Sequence, residues 1–589
     1  MDRKSLFIIV ASLVLLFAAN PLVDHFFPSH KVTIPATNVV ARVNGTNVAG
    51  TNLAGGSLSV GSNVGPAMMT SRPAVPVMVH PDAPEQTIVV TNNDLILHFT
   101  SHGGGLSLVE FSKYKATPDT KKTNNPALAS VNTGAQVPVL AVLGSESIQG
   151  DNGYTLSQAG NTVRAEKSLP NGLRVVKDFS FNTNGLLTAR LFIENTSTNP
   201  IALPPHQIVV GTASALSQSD DQTTVGVIWY NNLKAEDLKD AWFANRTLGC
   251  GPSSPRPHYE GGASNVIWAA VHNQFFAFAA IPSQPAPSLF VDKIELPSDS
   301  LVSSRYLTNG YQAAYAYSGS VLNPKQVVER DFTFYAGPKE YRRLAALAAE
   351  QNNHLDLIMG FSGFFGFFSK LLLLSMNALH SVGFNYGLTI IGITVILKAI
   401  FWPLTAASTR SMKRMQEFQP QMKAIAEKYK DDPGKKNQKT MEFMKEHKIN
   451  PMGGCLPMLI QFPVLIGFYW MLRSAIELRG EPFLWAHDLS RPDTIFAIGG
   501  FPVNPLPILM SALSLYQTHL TPVSPGMDPT QQKIMRFMPL MFVAIFYKMS
   551  SGLTLYWTVQ TLLGIVQTKL TRVPHEPAGI PGGPVAKKV

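Results

Sequence analysis

Hydrophobic positions along the 589-residue chain fall into three successive patterns. The first is one unbroken apolar run, Leu6 to Leu22, directly after Asp2-Arg3-Lys4. It has the form of a signal sequence, but Phe17 stands two before Ala19 and Leu16 two before Ala18, so the small-residue rule for cleavage is poorly met. Residues 1–28 therefore read as an uncleaved signal-anchor span with the N-terminus inside. Residues 29–85, rich in Gly, Asn, Ser, Thr, Val and Pro without a sustained period, read as a flexible linker. The second pattern is short alternation: Thr87–Thr91, Leu95–Phe99, Leu187–Ile193 and Gln274–Ile281, punctuated by Asn92-Asn-Asp, Gly103-Gly-Gly and Asn182-Thr-Asn-Gly. Such spacing predicts an all-β sandwich over residues 86–345. A helical pattern starts near Pro338-Lys-Glu-Tyr-Arg-Arg-Leu344.

The third pattern, past Leu357, is long apolar runs of membrane-span type. Leu357–Val382 and Asn385–Pro403 precede a loop, Leu404 to Gly453, with eleven basic residues against six acidic ones. The positive-inside rule puts that loop in the cytoplasm, so only one of the two runs before it crosses. Leu357–Val382, rich in Phe and interrupted by Gly360, Gly363, Gly366 and Lys370, is assigned to an amphipathic helix in the outer interface, within a region 346–384. Spans at Asn385–Pro403, Cys455–Leu472, Pro505–Leu520, Ile534–Met549 and Leu553–Leu570 follow. Pro505–Leu520 is short, and Phe496–Phe501 extends it at the outer side. The predicted fold is thus a membrane α-helical protein of six spans plus a periplasmic all-β sandwich. Its core, residues 385–572, contains a cytoplasmic helical hairpin at 404–453. Both ends are cytoplasmic, with a basic tail at 573–589.

Composition narrows the class. With 45% hydrophobic and 15% charged residues and a mean hydropathy of +0.08, the chain suits neither a soluble enzyme nor a purely embedded bundle. A net charge of +10 is read through loop placement rather than as nucleic-acid binding. Two cysteines, Cys250 and Cys455, lie in different regions and suggest neither a disulfide nor a metal site. The sandwich shows no nucleophile elbow, phosphate loop or metal spacing; His206, His258 and His272 read as structural or exposed. No catalytic residue, metal, cofactor or small-molecule substrate is predicted.

Lys398 is the residue that asks for an explanation. It sits in the run 386–402, five residues before Pro403, or roughly 7.5 Å along a helix. A cation near the centre of a bilayer costs about 2.5–3.5 kcal/mol, so it needs a partner or a wet cavity. Snorkelling to the interface is the bland alternative. Thr394 shares its face one turn away, and further polar positions recur: Gln461, the set Ser511, Ser514 and Thr518, and the set Tyr556, Gln560 and Gln567. Any one of them is ordinary interhelical glue. Together, beside a lysine with no Asp or Glu in the five C-terminal spans, they favour a hydrated groove whose charge is left for an acidic group that enters. In the basic loop, Met412, Met415, Phe418, Met422, Ile425 and Tyr429 recur at helical spacing, Asp431-Asp-Pro-Gly434 breaks the helix, and Met441 and Met444 follow. This predicts a hairpin whose Met-rich faces either pack together or offer an adaptable contact surface for hydrophobic segments. Its outward lysines suit lipid headgroups or ribosomal RNA.

Four stretches carry a family resemblance: Gly387–Thr405, Asn450–Pro463, Asp528–Pro539 and Ser551–Trp557. Together they resemble the YidC-type membrane-protein insertases of Gram-negative bacteria over about residues 350–572, with an architectural match before that. The resemblance implies a five-helix core around a hydrophilic groove, closed to the outside but open to cytoplasm and lipid. It places Lys398 where the family has its groove cation, usually arginine, and Thr394 and Gln461 at groove-lining positions. It puts Cys455, Pro463, Tyr556 and Trp557 near the substrate path. It implies nascent membrane proteins as substrates, delivered by ribosomes into the inner membrane, with or without the Sec translocon. Lysine lacks arginine's bidentate fork, and Trp557 replaces a common tyrosine. Two other classes fit parts of the pattern: a secondary transporter or channel, and a membrane-anchored periplasmic protein that binds carbohydrate or peptide. The latter predicts that deleting residues about 60–330 abolishes activity. The insertase reading expects much of it to survive, as measured by substrate insertion in cells depleted of the native protein.

Overall fold

The computed structural model describes residues 77–92, 94–118, 127–181, 186–216, 220–246, 254–297, 309–447, 456–520 and 529–571. The anchor, most of the linker, Cys250, Cys455 and the basic tail lie outside them. Residues 87–338 form antiparallel sheets. The largest has nine strands, in the order Ala235–Lys239, Gly226–Tyr230, Trp268–His272, Phe276–Pro282, Val327–Pro338, Leu187–Asn195, Leu173–Phe181, Thr162–Ser168 and Thr155–Ala159. A five-stranded sheet (His258–Gly261, Ser288–Glu295, Asn309–Tyr317, His206–Ala213, Val142–Gly144) packs against it. A four-stranded sheet spans Thr87–Asn92 to Leu128–Val131. The alternation read from sequence is therefore a sandwich, and its four cited runs are all strands.

Period-2 burial explains how the sandwich joins the rest of the chain. In Gly226–Tyr230 and Trp268–His272 every residue is buried. Val227, Trp229, Ala269 and Val271 point into the sandwich core. The alternate residues Ile228, Tyr230, Trp268 and Ala270 lie in a second core with Tyr341, Leu344 and Leu355. Alternate side chains of a strand face opposite sides, so these strands are buried throughout because both sides are covered. The covering element is helix α1 (Tyr341–Gln351) with the 3-10 turn Leu355–Met359 behind it. Trp268 Nε1–H donates to the Asn353 carbonyl at 2.8 Å.

The apolar runs past Leu357 fold as helices. They are α2 (Gly363–Ser381), α3 (Tyr386–Glu417), α4 (Gln419–Lys428), α5 (Pro433–Glu446), α6 (Leu456–Ser474), α7 (Pro505–Leu520), α8 (Pro529–Phe546) and α9 (Ser551–Leu570). Among the described residues one helix segment, Tyr386–Ser411, is long and apolar enough by itself to cross a bilayer. The segment expected as a single amphipathic helix is divided. Gly360 and Gly363 hold left-handed φ values of 72° and 66°, so the helix proper begins only at Gly363. α2 lies against α6: a Cβ on Gly467 would sit 2.6 Å from Phe368 Cβ, and Ser369 Oγ donates to the Gly467 carbonyl at 3.0 Å. The residues Phe496–Phe501, expected to lengthen the next span, instead form a two-stranded hairpin, Phe496–Ile498 with Phe501–Val503.

Arginines in the last turn of α6 and just beyond it fasten the sandwich to the helices. Arg473 pairs with Asp221 and Thr223, and Gln274 Nε2–H donates to the Arg473 carbonyl at 3.1 Å. Arg479 donates to the carbonyls of Lys115 and Ala116 at 2.5 and 2.9 Å and lies over the rings of Phe275 and Phe276. Ile476 belongs to the sandwich core itself. The two halves share side chains on both sides of the joint.

A buried polar chain closes the junction where strand Val327–Pro338 hands over to α1. Lys339 Nζ donates to His272 Nδ1 at 2.9 Å, and His272 Nε2–H donates to Asp237 at 3.0 Å. Burial, helped by Lys339, pulls His272 down to about 4, and burial pulls Lys339 down to about 7. Burial opposes ionisation of Asp237, yet His272 and Lys239 hold it below the usual carboxylate range. Because the folded histidine binds its proton less tightly than the unfolded one, the unfolded state takes up more protons between pH 6.5 and 4. The contribution of His272 to stability should therefore be full above pH 6.5 and fall through that window, by roughly 1.4 kcal/mol for each pH unit crossed, while the depressed Lys339 adds a separate loss as pH falls from its unfolded value toward 7. His272→Gln keeps both hydrogen bonds without a titration. It should flatten that dependence in urea unfolding of the detergent-solubilised chain, followed by tryptophan fluorescence.

Candidate functional site

Three helices converge on one pocket. α3 contributes Leu397, Lys398, Phe401 and Thr405, α6 contributes Gln461 and Val464, and α9 contributes Tyr556 and Gln560. The spacings of three and four residues put each set on one helix face. The pocket holds about 260 Å³ of empty space, counting its outward opening. Lys398 is 8% exposed, and among the described residues no carboxylate acts on it. Its surroundings are uncharged. Tyr556, which lines the pocket beside Gln461, stacks on Phe468 with ring centroids 4.2 Å apart.

Local sequence explains why backbone dipoles gather at this level. Pro403 lies inside α3 and Pro463 inside α6. A helical proline brings no N–H, so the carbonyls four residues back, Ala399 and Leu459, lose their helical donors. The first of these directly follows Lys398. Below the pocket Gln567 Nε2–H donates to the Trp402 carbonyl at 3.1 Å and to Thr405 Oγ1 at 2.5 Å. Lys413 caps α9 through the carbonyls of Thr568 and Thr571, at 3.0 and 2.7 Å, the favoured end for a cation.

The sequence-predicted residues divide. Lys398, Gln461, Tyr556 and Gln560 meet in the pocket. Thr394 is fully buried and spends its hydroxyl on the Ile390 carbonyl at 2.6 Å, so it is not part of the lining. Trp557 turns to the neighbouring helix, its ring 5.6 and 5.3 Å from Phe542 and Phe546. Pro463 is half-buried in α6 beside the lining residue Val464. Ser514 and Thr518 bond back to their own helix, and Ser511 bonds to the Pro539 carbonyl of α8. In the hairpin, Met422 is buried against Phe418, Phe443 and Met444, while Met441 is 63% exposed. The two faces therefore pack on each other. The side chains of Met412 and Met415, like Cys455, lie outside the described residues.

Two contributors were not anticipated. A Cβ on Gly564 would stand 2.6 Å from Gln517 Nε2 and 3.7 Å from Lys398 Nζ, so this glycine leaves the space in which amide and ammonium approach α9. Thr405 lies seven residues past Lys398, two turns along the same face. The signal for both was periodicity from a residue already chosen, with Gly564 four past Gln560.

A lone buried cation among neutral hydrogen-bonding groups, set in apolar helices joined to an antiparallel sandwich, defines a membrane-embedded helical protein with a large extramembranous β domain. Comparison with known proteins gives the family. The model described as 60Kd inner membrane protein matches residues 378–576, and that described as YidC periplasmic domain matches residues 87–374. A membrane protein insertase YidC of Paraburkholderia phymatum is 33% identical over 421 residues, 70% of each chain. That of Cupriavidus necator is 30% identical over 86% of each chain. A crystal structure of an active YidC insertase, resolved with its first transmembrane domain, covers 84% of this chain and 95% of its own at 19% identity, with a TM-score of 0.34. The chain belongs to the YidC family of membrane protein insertases. It is an inner-membrane protein with a periplasmic domain.

Filling the space beside Lys398 should impair this protein without touching its charge. Gly564→Leu is expected to lower insertion of a short-tailed single-span substrate in proteoliposomes. Val321→Ala, at a position 63% exposed on the sandwich, is expected to leave insertion unchanged.

Proposed function

We propose that this insertase crosses the inner membrane six times, with both termini in the cytoplasm and the sandwich outside. The N-terminal anchor, α3, α6, α7, α8 and α9 serve as the spans, and α2 lies in the outer interface. The charge pattern of the 404–453 loop supports this sidedness. α4 and α5 form a cytoplasmic hairpin beside the mouth of the pocket. That hairpin meets a hydrophobic segment emerging from the ribosome, and Met441 with the surrounding lysines offers it an apolar and cationic surface.

Lys398 then draws a short acidic tail into the pocket. Desolvation of backbone groups is the main barrier to moving a polar chain through hydrocarbon, each unsatisfied group costing several kcal/mol. A pocket lined by Gln461, Tyr556, Gln560 and Thr405, with carbonyls loosened by Pro403 and Pro463, shortens the dry part of that path. The substrate's apolar helix leaves sideways into lipid. No nucleotide or cofactor takes part, and the same steps run either alone or beside the Sec translocon.

The observation that carries this reading is the buried ammonium of Lys398 with no carboxylate of the described chain beside it. Lys398→Ala should reduce insertion of an acidic-tailed single-span protein by about tenfold, the equivalent of roughly 1.4 kcal/mol, and Lys398→Arg should restore it. A substrate whose tail acids are changed to amides should be nearly indifferent to both changes. Equal loss for both substrates would remove the electrostatic step.

A further inference from the structure

The hairpin between α6 and α7 is apolar on its outside and held rigidly at its base. Phe496, Ile498 and Phe501 are 52%, 67% and 63% exposed, and Ile495 is 44% exposed. Gly499 and Gly500, with φ of 57° and 83°, make the tight left-handed turn that a two-residue hairpin needs. The base is tied to three elements. Thr494 donates to Asn504 at 2.7 Å, and Asn504 donates to the Tyr547 carbonyl at 2.7 Å. The Tyr547 hydroxyl donates to the Pro502 carbonyl, and its ring lies 5.3 Å from that of Phe501. Asp493 accepts from Leu506 N–H at the start of α7 and from the indole of Trp485, at 2.6 and 2.9 Å. A loop with this much fixing at its root, yet nothing over its large side chains, is built to present them.

We propose that this hairpin is a lipid-contacting element, its Phe496, Ile498 and Phe501 side chains resting among the acyl chains of the outer leaflet. Three observations select lipid as the occupant. No Asp, Glu, Lys or Arg lies between Asp493 and Asp528, so the hairpin and α7 form one uncharged stretch. Its apolar surface continues into the exposed Ile508 and Leu509 of α7, while Ile545 is exposed two residues before the Tyr547 anchor, which lies just past the end of α8. Trp485 and Tyr547, each with its polar atom bonded inside the loop, frame it as aromatic residues do at a bilayer interface. Depth is limited by the backbone. A two-stranded hairpin leaves edge N–H and C=O groups that hydrocarbon does not satisfy, so the strands stay at headgroup level and only side chains go deeper. At 16 residues, α7 covers roughly 24 Å of a core about 30 Å thick, and the hairpin supplies the missing apolar cover at that end.

The leaflet, though not the lipid contact, rests on the topology proposed above, and the experiment separates the two. In a Cys250→Ser, Cys455→Ser background, a nitroxide is placed at Ile498→Cys, at Ile508→Cys on α7, and at Val321→Cys, which is 63% exposed on the sandwich. Collision with oxygen and with a water-soluble nickel chelate is measured in phosphatidylethanolamine–phosphatidylglycerol vesicles. Position 498 is expected to favour oxygen as position 508 does; a chelate-accessible 498 matching position 321 overturns the proposal. Separately, His487→Cys, in the same loop and exposed, is expected to react with a membrane-impermeant maleimide from outside the cell. Reaction only from the cytoplasmic face overturns the outer-leaflet placement and the six-span topology, while oxygen preference at 498 still establishes lipid contact.

Discussion

A positive charge with no negative neighbour among the described residues, buried between helices, is the condition around which the helical half of this protein is arranged. Lys398 is tolerable only because neutral dipoles converge on it. The amides of Gln461 and Gln560, the phenol of Tyr556 and the hydroxyl of Thr405 line its pocket, and two helix prolines release backbone carbonyls at the same depth. Each group contributes modestly, and none neutralises the charge. An internal carboxylate would hold the ammonium more firmly, but under the function proposed above it would also occupy the place of the substrate's acidic tail.

The sandwich is not an independent passenger on this arrangement. Its outermost sheet face is covered by α1, and that second core runs on without interruption through α2, α3, α6 and α9. Arg473 and Arg479 add directional contacts, and they do so from the end of α6, the helix that also carries Gln461 and Pro463. The position of the periplasmic domain and the position of one pocket wall are therefore mechanically linked. Such coupling follows from shared packing, because close-packed interiors transmit strain rather than absorb it.

Much of this was legible in the sequence, for reasons that differ by region. The β alternation was readable where one face of a strand is less covered than the other, as in Leu187–Asn195. It failed as a guide in Gly226–Tyr230 and Trp268–His272, where α1 covers the other face and every position is buried. Lys398 was conspicuous because charge in an apolar run is costly, and Gln461, Tyr556 and Gln560 followed from helical spacing. Thr394 misled for a physical reason: a threonine in a helix can satisfy its hydroxyl on the carbonyl four residues back, and this one does. Trp557 shows the limit of adjacency, since consecutive helix residues point about 100° apart and only Tyr556 reaches the pocket. Gly564 lay on the periodic face four past Gln560 but was passed over because its contribution is an absence of volume. Contacts among Met422, Phe418 and Met444 were equally hidden, since the same periodic stripe serves closure or capture.

The length of α3 has a consequence of its own. Its 32 residues amount to roughly 48 Å of helix, well beyond a hydrocarbon core of about 30 Å. Its lower part therefore projects as a shaft that ends where α4 and α5 begin. Pro403, which has no N–H to donate, removes one helical hydrogen bond from that shaft less than two turns past Lys398. Under the topology proposed above, a load on the hairpin therefore bears on the same continuous helix that carries the lysine.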